Sequence, residues 1–396
     1  MYDLIVIGGG PGGIFAAITA KNRGKKVLLL EKMEKLGKKL LIAGQGQCNL
    51  THTGTREDFI NKYGKNGAFL KKAFYKYPPE ALIDFFEKKG LKLIVTEKGK
   101  YFPETLRSLD VLTLLRRELE GVEIRYNSPV EKIEKSDNFL VYTNNEAYNS
   151  SKLILATGGK SYEVTGSSGD GYKFSKTLGI KIIEPKPALT PCYINDYPYT
   201  SLAGVAFRDI SIEHWRNEKK LGIYNGDLLF THRNFSGPVI IDNSRYFEKA
   251  DILKINYSGE NKEVFEKNFR DKLKGSKLIK NIFDNPNLSE RFILSMLKNL
   301  DIDENKKVCD LNKSEIKNIL EAIVEAKYTI SRLEGFNVAM ATSGGVSLEE
   351  INKNTMECKN IKGLYIVGEL LDIDGDTGGY NIQAAYSTGS LAGENI

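Results

Sequence analysis

Gly8, Gly10 and Gly13 stand in a G-x-G-x-x-G spacing directly after the apolar run Leu4–Ile7, and Glu31 ends the next apolar run. Glycines so spaced make a tight turn, let backbone approach a pyrophosphate and let a helix pack close to its strand. The N-terminus of that helix offers unpaired N–H groups and a positive dipole end to phosphates. A carboxylate at the end of the second strand accepts hydrogen bonds from ribose hydroxyls. The chemistry indicated is dinucleotide binding. Gly8, Gly10, Pro11, Gly12 and Gly13 are expected at the pyrophosphate, with Glu31 and Lys32 toward the ribose. FAD and NAD share the ADP half, so this motif does not separate them.

The far end of the chain separates them. Residues 364–369, LYIVGE, read as a further buried strand. Gly378-Gly379-Tyr380-Asn381 then opens a run of small residues at helical spacing. A single-domain NAD fold has no need of this second strand–loop–helix. A protein that wraps an extended dinucleotide from both ends does, so FAD is the expected cofactor. Gly368, Glu369, Asp372, Gly378, Gly379, Tyr380, Asn381, Ile382 and Gln383 are expected to contact it. The helix starting near Gly379 would aim its positive end at the flavin ring and stabilise the reduced, anionic form. Asp372 would reach the ribityl chain or phosphate edge. Residues 153–159, LILATGG, add Ala156, Thr157 and Gly158, and Val130 and Lys39 complete the set. LILATGG is not a second fingerprint. NAD(P)H, the candidate reductant, would therefore dock transiently, without a Rossmann domain of its own.

Residues 37–52, GKKLLIAGQGQCNLTH, form an unusual loop near the N-terminus. Gly44 and Gly46 permit close approach, while Gln45, Gln47 and Asn49 supply neutral donors and acceptors. The loop is expected to run beside the isoalloxazine. Three candidate catalytic groups follow: Cys48, His52 and His232. Cys48 has no CxxC or CxxxxC partner, which favours a small buried thiol over a redox pair. His52 and His232 are candidate acids or bases near the flavin, set against an ordinary loop and an ordinary barrel residue.

These segments, with LFTHRNFSGP at 229–238, resemble in their order the aminoacetone-oxidase-like, or YhiN-like, family of FAD-binding proteins. The resemblance spans nearly the whole chain. It implies an α/β, Rossmann-like FAD domain built from both chain ends, interrupted by a β-barrel-like domain and a small helical domain. It also implies amine oxidation in some relatives and reduction of steroid-like substrates in others. The loop departs from the family's frequent Ser-Gly-Gly-Gly-Arg-Cys-Asn pattern, since Gln47 replaces the arginine and Gln45 adds an amide. Asn234 stands where glycine is common, and is expected in a left-handed turn.

The elements that must position these residues divide the chain into four stretches. Residues 1–187 and 336–396 are expected to form the FAD domain, 188–258 the barrel-like insert and 259–335 the helical insert. Within the barrel, Asn225-Gly226 reads as a hairpin turn. Asn312 and Glu315 read as a capping box, and the helical pattern they start continues through AKYTI at 326–330.

Composition bounds the rest. The 396 residues carry 41% hydrophobic and 27% charged residues and a net charge of +6. Basic and acidic residues interleave, and the middle domain shows no dense Lys/Arg cluster, which argues against a nucleic-acid partner. The four cysteines are scattered, so neither a disulfide framework nor a metal site is expected. No apolar run reaches the ~18 residues of a membrane span. The chain opens in a core strand without a signal peptide, and a cytoplasmic location is expected. The sequence thus reads as an FAD-dependent oxidoreductase in which NAD(P)H drives reduction of a small organic substrate through flavin N5. The alternatives are an amine (aminoacetone-like) oxidase using oxygen, a flavin-dependent tRNA-modifying protein, and a redox sensor without turnover.

Overall fold

The computed structural model describes residues 1–396. The chain forms two compact units, residues 1–188 with 336–396, and residues 189–335.

The first unit is built on a seven-stranded sheet. Its strands are β1 (Tyr2–Ile7), β2 (Val27–Leu30), β3 (Glu123–Arg125), β4 (Val130–Lys135), β5 (Phe139–Thr143), β6 (Ala147–Leu155) and β7 (Leu364–Ile366). The order is β3-β2-β1-β6-β5-β4. The end of β6 also pairs in parallel with β7, Leu364 opposite Leu153. β1 lies parallel to β2 on one side and β6 on the other. Such central parallel strands are covered on both faces, which explains their unbroken Leu/Ile/Val composition. Leu4, Ile5, Val6 and Leu28 to Leu30 are buried accordingly.

Four helices of this unit matter for the site: α1 (Pro11–Asn22), α2 (Lys38–Ile42), α3 (Asp170–Thr177) and α4 (Tyr380–Glu394). α1 begins with Pro11 at its first turn, where a missing N–H costs nothing. It ends before Gly24, which takes φ +77°. α4 lies directly against α1. A Cβ built on Gly389 would fall 2.3 Å from the Gly12 carbonyl oxygen, and one on Gly393 2.5 Å from that of Ala16. Two glycines one turn apart thus bring the C-terminal helix to backbone contact with the N-terminal one.

The second unit is a closed barrel with helices. Its strands run in the order 192–194, 235–236, 219–230, 206–216, 252–256, 326–333. Phe207, Phe230, Phe235 and Tyr257 fill it. Phe292, on the helix Glu290–Asn299, packs 5.0 Å from both Phe207 and Tyr257. Barrel and helices share one core, so 188–258 and 259–335 are not separate bodies.

Three local expectations are corrected here. Asn225-Gly226 is not a turn: it lies within the strand Lys219–Phe230, paired with Ser211 and Ile210. The turn is Asn217-Glu218, both residues at positive φ (47° and 63°). Twelve residues of alternating strand outweighed a local Asn-Gly signal. The capping box forms as expected on Asn312 and Glu315. Its helix, however, stops at Val324, and Ala326–Leu333 is the closing barrel strand. Pairing with Ile252–Asn256 decides that segment, which periodicity alone cannot. Asn234 does not take a left-handed conformation. Its side chain instead accepts from the Thr231 hydroxyl at 2.6 Å.

Candidate functional site

The β1–α1 turn opens into a large cleft of about 1320 Å³, its open mouth included, lined wholly by the first unit. Both chain ends contribute. Gly8, Gly10, Pro11, Gly12, Glu31 and Lys32 line it from the N-terminal side. Gly368, Glu369, Asn381 and Ile382 line it from the C-terminal side, with Lys39, Val130, Ala156, Thr157 and Gly158 between.

The glycines divide by role. A Cβ on Gly10 would meet no atom within 4 Å, so this position faces open cleft. A Cβ on Gly13 would lie 2.0 Å from the Gly8 carbonyl oxygen, so Gly13 sits behind the cleft and sets how closely α1 approaches β1. Gly8 needs its φ of +106° for the turn, and a Cβ there would strike the Ala156 carbonyl.

Glu31 is buried at 8% exposure. It accepts from the Gly9 N–H at 2.7 Å and the Met33 N–H at 2.8 Å. Burial pushes its carboxyl upward, and the two backbone donors oppose that shift. Lys32 reaches across to Asp170 at 2.6 Å and to Ser168, fastening the start of α3 to the cleft wall. Burial pushes Asp170 up, yet Lys32 and Ser168 prevail and hold its carboxyl below the usual range.

At the other wall, Lys39 donates to Glu369 at 2.8 and 3.0 Å and to Ser161 at 3.0 Å. Glu369 also accepts from the Ser161 hydroxyl and the Thr342 N–H, at 3.0 and 2.9 Å. One carboxylate therefore ties α2, the segment after β6 and the segment after β7 together at the cleft.

Gly44, Gln45, Gly46, Asn49, Asp372, Gly378, Gly379, Tyr380 and Gln383 do not line the cleft. Residues 38–46 are not an extended loop. They form α2 and a short helical turn, kinked by Gly44 and Gln45 at φ 57° and 58°. Gln45 is exposed. Asn49, with its amide nitrogen facing the Thr51 and Tyr101 carbonyls, accepts from the Gly379 N–H at 3.3 Å. It thereby holds the loop against the start of α4. Asp372 offers its carbonyl to Asn66 at 2.7 Å. Gln383 is fully buried and accepts from Thr51 at 2.8 Å.

The three catalytic candidates separate. Cys48 is buried, and burial pushes its thiol up to about 12. A thiol held neutral is a poor nucleophile. Iodoacetamide at pH 8 should leave Cys48 unmodified in the folded protein and label it only after denaturation, as read by peptide mass. His232 is exposed on the turn before Asn234. His52 stacks on Tyr380, ring centroids 5.3 Å apart.

Sequence reasoning passed over Gly9, whose N–H orients Glu31, and the supports Ser161, Thr342 and Asp170. No spacing signal marks these four, because each acts through a partner distant in sequence. Lys35 and Lys38 also line the cleft, and the run KMEKLGKK after Glu31 did carry that signal.

A strand–turn–helix with a cleft-facing Gly10, a buried carboxylate just after the second strand and a second helix from the opposite chain end suits a long dinucleotide. FAD fits this donor set, and the fold and cleft are those of an FAD-dependent oxidoreductase. The chain belongs to the HI0933-like family: the family's Rossmann-domain model matches residues 2–395. The resemblance drawn from the motifs therefore holds. The chain is 28% identical to a ribosomal RNA dihydrouridine synthase of Haemophilus influenzae, over 97% of this chain and 96% of that one. It is 29% identical to a 3-dehydro-bile acid delta(4,6)-reductase of Clostridium scindens, over 99% and 98%. Among solved structures, a 3-ketosteroid-delta4-(5alpha)-dehydrogenase of Rhodococcus jostii shares the fold, with a TM-score of 0.51 at 14% identity, over 99% and 96%.

Proposed function

We propose that this protein reduces a carbon–carbon double bond conjugated with a carbonyl group, with NAD(P)H as electron donor to its FAD. One observation carries the reading: the full length of the chain is shared with two proteins whose names describe that same kind of reduction. A dihydrouridine arises by adding two hydrogens across the C5=C6 bond of a uracil, beside its C4 carbonyl. The Δ4,6 bonds of a 3-oxo bile acid are conjugated with that ketone. A small enone, the substrate class we favour, presents the same acceptor atoms. A cytoplasmic location goes with this donor, and no helix is long and apolar enough to cross a membrane.

When bound, FAD supplies hydride transfer through its N5. The chain supplies position and charge. The backbone N–H groups at the start of α1 hold the pyrophosphate. Glu31, already oriented by Gly9 and Met33, accepts from the ribose hydroxyls. Lys39 and Glu369 fix the cleft wall where α2 meets the segment after β7. The positive end of α4 favours negative charge beside Asn381 and Ile382.

The test is an anaerobic titration of the holoprotein followed in the visible spectrum. NADPH or NADH should bleach the flavin bands, and 2-cyclohexen-1-one should restore them with formation of cyclohexanone. Bleaching by aminoacetone but by neither nucleotide would replace this reading with amine oxidation. Bleaching reversed by a uracil-containing RNA and not by the enone would move the substrate to nucleic acid.

A further inference from the structure

We propose that Lys32 and Asp170 clasp two walls of the cleft together beside Glu31, and that this clasp sets how slowly bound FAD leaves. The inference needs FAD as the cofactor and is independent of which substrate is reduced.

The strap that is clasped comprises residues 163–169, between β6 and α3. Its Thr165, Gly166 and Ser167 line the cleft. The chain is pinned just before the strap. There the Ser161 N–H donates to the Thr342 hydroxyl at 3.2 Å, and the Tyr162 N–H to the Phe336 carbonyl at 3.0 Å. From 163 to 169 the backbone bonds only within its own loop and to the first turn of α3. Val164, at the tip, is 80% exposed. A segment with so few outside bonds opens at low cost unless a side chain holds it down.

Lys32 is that side chain. It stands two residues beyond β2 and 138 residues from Asp170, and both line the cleft. Its ammonium donates to Asp170 at 2.6 Å and to the Ser168 hydroxyl. Ser168 in turn donates to the same Asp170 oxygen at 2.8 Å. Below these groups the two walls touch. A Cβ on Gly166 would fall 3.0 Å from Met33 Cγ and 3.5 Å from Lys32 Cε.

The arrangement is a clasp and not a phosphate contact. The Lys32 ammonium is already engaged by a carboxylate and a hydroxyl, so the pair presents almost no net charge to a diphosphate. The side chains are only 27% and 32% exposed, so salt screens them less than a surface pair. Lys173, 4.0 Å from the other Asp170 oxygen, sits on α3 itself and does not cross to the opposite wall. Lys32 and Asp170 are thus positioning residues: they act on the cofactor through the strap.

The test is FAD release from the holoprotein, followed by chasing bound ¹⁴C-labelled FAD with excess unlabelled FAD. Lys32→Met and Asp170→Asn should each speed release about tenfold, the lower end for loss of a hydrogen bond to a charged group. The two effects should not multiply, because each variant breaks the same contact: the double variant should release FAD no faster than either single one. Ser168→Ala removes one hydroxyl and should speed release about threefold, and it carries the test if the charge variants do not fold. A lysine that touched FAD directly would give another pattern. Lys32→Met would then speed release, while Asp170→Asn, by freeing the ammonium for the diphosphate, would slow it. That pattern, multiplying effects, or unchanged release in every variant would overturn the clasp and leave the proposed function standing. Wild-type protein that binds no FAD would overturn both.

Discussion

Gly10→Ala should strip FAD from the protein while leaving the apoprotein as stable as before. The two halves of that result come from one geometric fact. Gly10 has φ −80°, a conformation alanine adopts freely, and an added Cβ meets no protein atom within 4 Å. The methyl group would project only into the open cleft, where the proposed function puts the pyrophosphate. We expect FAD affinity to fall about 100-fold, or ~2.7 kcal/mol. The apoprotein Tm should move by less than about 1 °C. Gly13→Ala is the counterpart. Its Cβ would stand 2.0 Å from the Gly8 carbonyl oxygen, a backbone atom that cannot swing aside. Alanine is favoured over glycine in a helix by ~1 kcal/mol. Overpacking against backbone costs up to about 3 kcal/mol and outweighs that gain. Gly13→Ala should therefore lower the apoprotein Tm by several degrees, at roughly 2–4 °C per kcal/mol for a unit of this size. Calorimetry on both apoproteins, with flavin fluorescence for affinity, checks the pair. Equal Tm losses in the two variants would mean that the glycines are not divided as described.

Gly389→Val should give the largest loss of stability. The wild-type position already sits against the Gly12 carbonyl, where even a methyl would come within 2.3 Å. Valine adds two further carbons with one strongly preferred rotamer in a helix. α4 would have to lift from α1, opening the core around Ala16, Leu391 and Ala392, all fully buried. We expect a loss above ~3 kcal/mol, with the variant recovered mainly as insoluble protein. Gly389→Ala gives the sharper sign test. Helix propensity alone predicts stabilisation by ~1 kcal/mol. The close approach predicts the opposite, a lower Tm with FAD retained. A raised Tm would show that the helices part without penalty, and the account of how the two chain ends are joined would fail.

The sequence by itself determined the cofactor class and picked out many of the residues that line the cleft. Gly8, Gly10, Gly13 and Glu31 are legible because they are local: one strand, one turn and one helix create their function, and the spacing repeats wherever that geometry is used. The C-terminal Gly368, Glu369, Asn381 and Ile382 were legible for the same reason, as was the capping box on Asn312. Tertiary structure decided everything that depends on a partner far along the chain. Glu369 reads as a flavin contact, but only the fold brings Lys39, Ser161 and Thr342 to it. The 37–52 segment reads as a loop beside the flavin, yet α2 and the kink at Gly44 and Gln45 turn Gln45 outward and leave Asn49 holding Gly379. Asn225-Gly226 carries a turn signal that a long barrel strand overrides, and Ala326–Leu333 carries a helical one that strand pairing overrides. The lack of a nearby cysteine partner already favoured a small buried thiol at Cys48, and packing of the whole chain buries it. Motifs record the conformations a short segment needs. Partners, burial and register are set by which segments meet, and that is settled only when the whole chain packs.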